Sequence, residues 1–252
     1  MLIDRVGISS TRQRIDESVA SGTPHQIVTV NLDFLRISLQ NPCFRELINQ
    51  ADLAVADGIP LLWAARVRGD PLVERVTGPD LMEMSAGLSA EKGHSLFLLG
   101  AAPGVAEMAA AALTRRYPGA RIGGVYAPPV GPFSPEEDDR MVSLIRRCRP
   151  DILFVAFGCP KQDFWIQQHK KELGVPVAIG VGGTFNYIAG IIPRAPAWAQ
   201  RASLEWLFRL KHEPRRLWRR YLLEDMPVLL RLVSQRSWQC AGRGDVMKLE
   251  GR

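Results

Sequence analysis

Six short runs constrain what this chain can become: QIVTV (26–30), LAVA (53–56), SLFLLG (95–100), ARIGGVYA (120–127), DILFVAFG (151–158) and PVAIGVGG (176–183). They are nearly continuous in apolar residues, as strands covered on both faces must be. Helix-like stretches separate them: Leu32 to Ala51, broken near Asn41-Pro42, then 60–68, 79–92, 103–117, 134–149 and 160–173. The alternation predicts an α/β fold, a single Rossmann-like domain with a mainly parallel sheet of about six strands. No internal repeat or low-complexity run interrupts it.

In such a sheet, ligands bind beyond the carboxyl ends of the strands. The residues there are Thr29-Val30-Asn31, Asp57-Gly58, Gly100 to Gly104, Gly158 to Gln162 and Gly182 to Asn186. All are rich in glycine or small polar residues, which let a ligand approach the backbone. Asp57-Gly58 suggests a hairpin by composition. The following PLLWAARVRG reads instead as a helix opening on Pro60, so Asp57 stands in a βα loop. There it is either a helix cap or a carboxylate presented to a ligand.

GCPKQDFW (158–165) ends a strand in Gly158 and opens a helix at Pro160. Free N–H groups in that first turn suit a diphosphate, with Lys161 adding charge and Gln162 donating or accepting. The alternative is an ordinary well-formed helix start. GAAPG (100–104) shares the logic without a GxGxxG fingerprint, and no GxxxxGK[ST] occurs. A nicotinamide dehydrogenase and a P-loop NTPase are therefore disfavoured. No Asp-x-Asp offers a metal seat for a sugar nucleotide. A departing diphosphate would then need helix N-termini or cations such as Arg75 and Arg194, although an isolated arginine is more often a surface charge. The four histidines share no metal spacing, and Cys43, Cys148, Cys159 and Cys240 form no CxxC. No metal site is expected.

Charge divides the chain. Residues 194–252 hold 13 Lys+Arg against 6 Asp+Glu, a net of +7, while the first 193 net −1. Four of the six tryptophans, Trp198, Trp206, Trp218 and Trp238, also lie in this tail. The predicted division is a catalytic body over 1–193 and a basic helical appendage over 194–252, with helices from Ser203 to about His212 and from Pro214 to about Asp225. Arginines beside tryptophan and leucine suit an anionic membrane surface. Nucleic acid is the competing partner, and a solvated helix packed on the body is a third reading. MLIDRVGISS lacks the pattern of a signal peptide, and no apolar run approaches a bilayer span. A cytoplasmic location is expected.

Seven of these stretches, in order, resemble the WecG/TagA/CpsF family of bacterial glycosyltransferases: TVN (29–31), ADLAVADGIP (51–60), ERVTGPDLM (74–82), FGCPKQDFW (157–165), GVGGTFNYIAG (180–190), IPRAPAW (192–198) and LEWLFRLKHEPRRLWRRY (204–221). The similarity spans roughly residues 26 to 230. The resemblance implies inverting transfer of a hexose from a UDP-sugar to a polyprenyl-diphosphate-linked saccharide at the cytoplasmic membrane face, without an essential metal or cofactor. The sugar would be N-acetylmannosamine, N-acetylmannosaminuronic acid or glucose, and the partner a membrane rather than nucleic acid. Asp57 matches the family's proposed base, and Thr29, with Asn31 beside it, falls in the catalytic set. The substrate-binding set becomes Arg75, Gly100, Gly158, Lys161, Gln162, Gly182, Asn186 and Arg194. Arg209, Arg216 and Arg219 match arginines implicated in membrane or acceptor contact. Two positions depart: Asn186 stands where the family usually has Asp, and Asp163 where Glu is commoner.

Overall fold

A computed structural model describes residues 2–129, 131–196, 224–234 and 246–248, with the single positions 199, 208, 210 and 218. The strands are β1 (Leu2–Asp4), β2 (His25–Val30), β3 (Leu53–Ala56), β4 (Ser95–Gly100), β5 (Arg121–Tyr126), β6 (Ile152–Ala156), β7 (Val177–Gly180) and β8 (Val246–Lys248). The helices are α1 (Ile8–Ser21), α2 (Leu32–Gln40), α3 (Pro42–Gln50), α4 (Ile59–Val67), α5 (Gly78–Lys92), α6 (Val105–Arg116), α7 (Pro135–Cys148), α8 (Lys161–Leu173), α9 (Thr184–Ile188) and α10 (Met226–Ser234).

β2 to β7 form one six-stranded parallel sheet in the order β3-β2-β7-β6-β4-β5. The α/β expectation holds, with each of the six strands where the apolar runs put it. The break at Asn41-Pro42 holds as well. Asn41 caps α3 with its side chain, accepting from Phe44 N–H at 3.0 Å, and Pro42 takes the first helical position.

Strand side chains alternate between two cores. Ile27, Leu53, Val55, Leu98, Phe154 and Ile179 pack beneath α1, α5, α6 and α9. Val28, Val30, Ala54 and Ala56 meet α2, α3 and α4 on the other face. Phe97, Leu99, Leu153 and Val155 extend that second face under α7 and α8. This arrangement positions the site. The chain leaves β2 for α2 on one face and leaves the neighbouring β7 for α9 on the opposite face. Connections that diverge this way open a crevice at the carboxyl ends of the two strands.

Sequence periodicity did not anticipate α1, α9, α10 or the antiparallel pair β1–β8. Only Thr11 and Ile15 of α1 are buried, too sparse a stripe to read as helical. β1 lies against the edge strand β3, where Asp4 Oδ2 accepts from Ala54 N–H at 2.8 Å. It thereby occupies a donor of that otherwise open edge. α10 packs on α2 and α4, with Val228 buried. Thus the described stretches 224–234 and 246–248 both pack against elements of the first 193 residues. The helices expected at Ser203–His212 and Pro214–Asp225, with Arg209, Arg216 and Arg219, lie outside the described residues. No helix among the described residues is long and apolar enough to cross a membrane.

Gly100 has a structural reason to be glycine. Its φ is +105°, and a Cβ there would lie 2.9 Å from the Ala156 carbonyl carbon and oxygen. Gly100→Ala is expected to lower stability by about 1–3 kcal/mol through backbone strain and overlap, read as a fall in the urea midpoint with m unchanged.

Candidate active site

The strand-end loops named from sequence converge. Along the carboxyl edge, Asp57 follows β3, Asn31 follows β2, Gly182 follows β7, Gly158 follows β6 and Gly100 ends β4, in the spatial order of the strands. Asp57 N–H donates to Val30 O at 2.7 Å, tying the first two loops together. Val76 N–H donates to Ala56 O at 2.9 Å, which brings the Arg75 segment to the end of β3.

The two readings of Asp57 now separate. The N-cap of α4 is Gly58, with φ +154°, a residue that has no side chain to cap the helix. Asp57 is therefore not the cap. It is half-buried, two residues before α4, at the edge where β2 and β3 end. Its main chain is held there by the bond to Val30 O. Asn31 is a structural cap. Its Oδ1 accepts from Asp33 N–H at 3.0 Å and Phe34 N–H at 3.2 Å. Thr29 is buried, and its hydroxyl donates to Gly180 O at 3.1 Å across the β2–β7 boundary. In this arrangement it fixes the floor of the crevice.

The GCPKQDFW turn differs from its sequence reading. The N–H groups expected to be open at the start of α8 are partly taken: Gln162 N–H donates to Gly158 O at 3.0 Å, and Asp163 N–H to Pro160 O at 3.1 Å. Gln162 is only 2% exposed. Its Oε1 accepts from Gly158 N–H at 3.2 Å and from Gly182 N–H at 2.9 Å. One side-chain oxygen thus joins the loop after β6 to the loop after β7. Gly158 and Gly182, at φ +82° and +54°, supply the left-handed turns that aim those N–H groups. Gly180 admits the amide, since a Cβ there would lie 2.7 Å from Gln162 Nε2.

Lys161 is exposed and engaged by the β5–α7 loop. Its Nζ donates to Gly131 O at 2.6 Å and lies 3.4 Å from the centroid of the Phe133 ring. Partial burial holds the ammonium below its ordinary range. Arg194 is paired with Asp80. Asp80 also accepts from Thr77 N–H at 3.0 Å and from Thr77 Oγ1 at 2.6 Å, within a capping box at the start of α5. Burial alone would raise the Asp80 carboxyl, but the Thr77 bonds and the Arg194 guanidinium outweigh it and hold it below its ordinary value. A depressed carboxyl supports the fold above its unfolded pKa, so this cluster loses its contribution only as pH falls below about 4. Asn186 is half-buried in α9, and its carbonyl accepts from Ile191 N–H at 3.0 Å and Ile192 N–H at 3.1 Å.

Sequence reading missed the Thr77–Asp80–Arg194 cluster, although T-x-x-D before an apolar run is a helix-start signature. It also underweighted Asp163, for which no local signal exists. Among the described residues, no group of three or more His, Cys, Asp or Glu is placed to hold a metal ion.

A doubly wound sheet with a carboxylate and glycine-rich loops at a switch point defines a ligand-binding α/β enzyme. The chain matches the model of the glycosyl transferase WecG/TagA/CpsF family over residues 1–241, and it belongs to that family. It is a glycosyltransferase. Its relatives include the N-acetylglucosaminyldiphosphoundecaprenol N-acetyl-beta-D-mannosaminyltransferases of Staphylococcus aureus strains MW2 and NCTC 8325 / PS 47. Each is 32% identical over 209 residues, covering 83% of this chain and 79% of the relative.

Proposed function

We propose that the protein transfers a hexose from a UDP-sugar to a polyprenyl-diphosphate-linked saccharide, with inversion at the anomeric carbon and with Asp57 as general base. The observation carrying the reading is Asp57 itself: a half-buried carboxylate at the switch-point edge whose neighbour, not itself, caps α4. An acceptor hydroxyl is a weak nucleophile, and a fixed carboxylate removes its proton as attack proceeds. One base on the face opposite the departing UDP gives inversion. The relatives' acceptor, a diphosphoundecaprenol-linked N-acetylglucosamine by their name, supports a lipid-linked acceptor here. N-acetylmannosamine is accordingly the first sugar to test, before N-acetylmannosaminuronic acid and glucose.

The leaving diphosphate needs positive charge. Arg75 is held near the end of β3, and Lys161 stands at the start of α8. For Lys161 to meet a phosphate it exchanges Gly131 O and the Phe133 ring for the ligand. The appendage arginines Arg209, Arg216 and Arg219 would meet the acceptor diphosphate at the inner face of the cytoplasmic membrane. No metal or cofactor has a part in this scheme.

Incubation with a panel of UDP-sugars and a lipid-diphosphate saccharide, read by product mass, tests the proposal. One UDP-hexose is expected to yield a product heavier by one sugar residue, at a rate unchanged within about twofold by EDTA, because protein cations supply the charge stabilisation. No product from any donor, or loss of turnover in chelator with recovery on adding metal, would refute the corresponding part.

A further inference from the structure

Asp163 follows Gln162 in the first turn of α8 and is fully buried. Neither carboxyl oxygen has a well-formed hydrogen bond. Burial, only partly offset by its own backbone N–H and the Gln162 amide, pushes the carboxyl up to about 8. A buried carboxylate without a cation or donors is rare and needs a reason.

Its surroundings come from several elements. β7 offers Gly180, where a Cβ would lie 2.7 Å from Asp163 Oδ1. β2 offers Gln26, whose Nε2 donates to the Asp163 backbone carbonyl at 2.9 Å, along with Thr29 and the half-buried His25, whose ring lies 3.3 Å from Pro176 O. β6 carries no ionisable side chain. The charges of the other packed elements are engaged elsewhere or directed outward. Lys161 is on Gly131 O, and Lys170 pairs with Asp52. His169 faces Asp138 and Glu172, and Asp138 also accepts from Trp165 Nε1. On α3, Glu46 is exposed and Arg45 half-exposed.

We propose that Asp163 is a positioning residue that works un-ionised: wedged against Gly180, it keeps the Gln162 amide turned with its oxygen toward Gly158 and Gly182, and so sets the gap between the two strand-end loops that receive the donor. This rests on the reading of those loops as the donor site. An un-ionised carboxyl needs no counter-charge in that seam. Ionised, it forces water or a rearranged Gln162 into the seam, and the loops lose their spacing.

The full chain and its Asp163→Asn and Asp163→Ala variants are melted from about pH 5 to about pH 9 and assayed with UDP-sugar over the same range. Native Asp163 holds a proton that the unfolded chain has lost, so wild-type stability falls relative to Asp163→Asn as pH rises from about 4 to about 8. Above that pH the difference is constant. Wild-type turnover at pH 9 is expected about tenfold below its pH 7 value on this account. Asp163→Asn stays within about twofold of wild type at pH 7 and lacks that decline, while Asp163→Ala raises KM for the donor about tenfold with kcat changed less.

An Asp163→Asn enzyme with the wild-type melting slope and alkaline decline would overturn the proposal, as would an Asp163→Ala enzyme with wild-type KM. Should neither variant fold, the infrared spectrum of the wild type decides. A protonated-carboxyl stretch at pH 7 that vanishes by about pH 9 supports the assignment, and its absence at pH 7 contradicts it. If no UDP-sugar is turned over, the donor reading fails, while the melting slopes and infrared band still report on Asp163.

Discussion

Asp57→Ala is expected to bind UDP within about twofold of wild type, to melt close to it, and to lose about 10²–10⁴-fold in turnover. The separation of binding from chemistry follows from how the residue is held. Its main chain is fixed by the bond from Asp57 N–H to Val30 O, which the substitution leaves in place. α4 takes Gly58 as its N-cap, so the aspartate does not occupy the cap position. A capping aspartate would behave differently: its removal would lower stability by about 1 kcal/mol and touch turnover only indirectly. Asp57→Asn is the sharper variant, since it retains shape and removes only basicity, and its turnover is expected to fall as far. Initial rates and calorimetric UDP titration check both. Wild-type turnover in either variant would remove Asp57 from the mechanism.

The second large effect belongs to Gln162. Gln162→Leu keeps much of the side-chain volume but deletes the oxygen that receives Gly158 N–H and Gly182 N–H. Both glycines are half-buried, so water only partly replaces the lost acceptor. The expected loss is about 1–3 kcal/mol of stability, measured by urea unfolding. The effect on the reaction is larger. Two loops from adjacent strands, β6 and β7, lose their common anchor, and misplacement by an ångström can cost about 10²-fold in rate. Gln162→Glu retains an acceptor and is expected to fall between the two. Were Gln162 instead a direct substrate ligand from an open position, the leucine variant would melt like wild type and only KM would rise.

These contrasts show where sequence was informative. Five of the six sheet strands were legible because a strand covered on both faces must be apolar throughout, and LAVA or ILFVA allows little else; β5, at the sheet edge, is only partly covered. Their order was not legible. β6 and β7 insert between β2 and β4, and that placement rests on which helix covers which face rather than on local pattern. α1 escaped notice because ISSTRQRIDESVAS buries only two side chains, and α9 because five residues hold too little periodicity.

The site shows the same division. The rule of carboxyl ends located the loops, since it depends only on strand direction. The choice between cap and presented carboxylate at Asp57 needed coordinates, because Asp-Gly-Ile-Pro permits the cap at either residue. Sequence places Gln162 in a helix start, free to donate or accept, and marks Asp163 only as standing where Glu is commoner. Their burial follows from Gly180, nearly twenty residues away, whose missing side chain lets both approach β7. Lys161 and Arg194 were read as cations available to a diphosphate, yet they rest on Gly131 with Phe133 and on Asp80. Engagements of that kind carry no local signature.

A crystal structure of the protein with UDP tests the central claim most directly. The account predicts the diphosphate between the ends of β2 and β7, within reach of the loops at Gly158 and Gly182. The open side of the terminal phosphate would face the Asp57 carboxylate across the space for one sugar ring. A nucleotide seated at the opposite edge of the sheet, in the cleft lined by Arg146, Arg149 and Glu172, or an Asp57 side chain turned away from the bound phosphate, would contradict it.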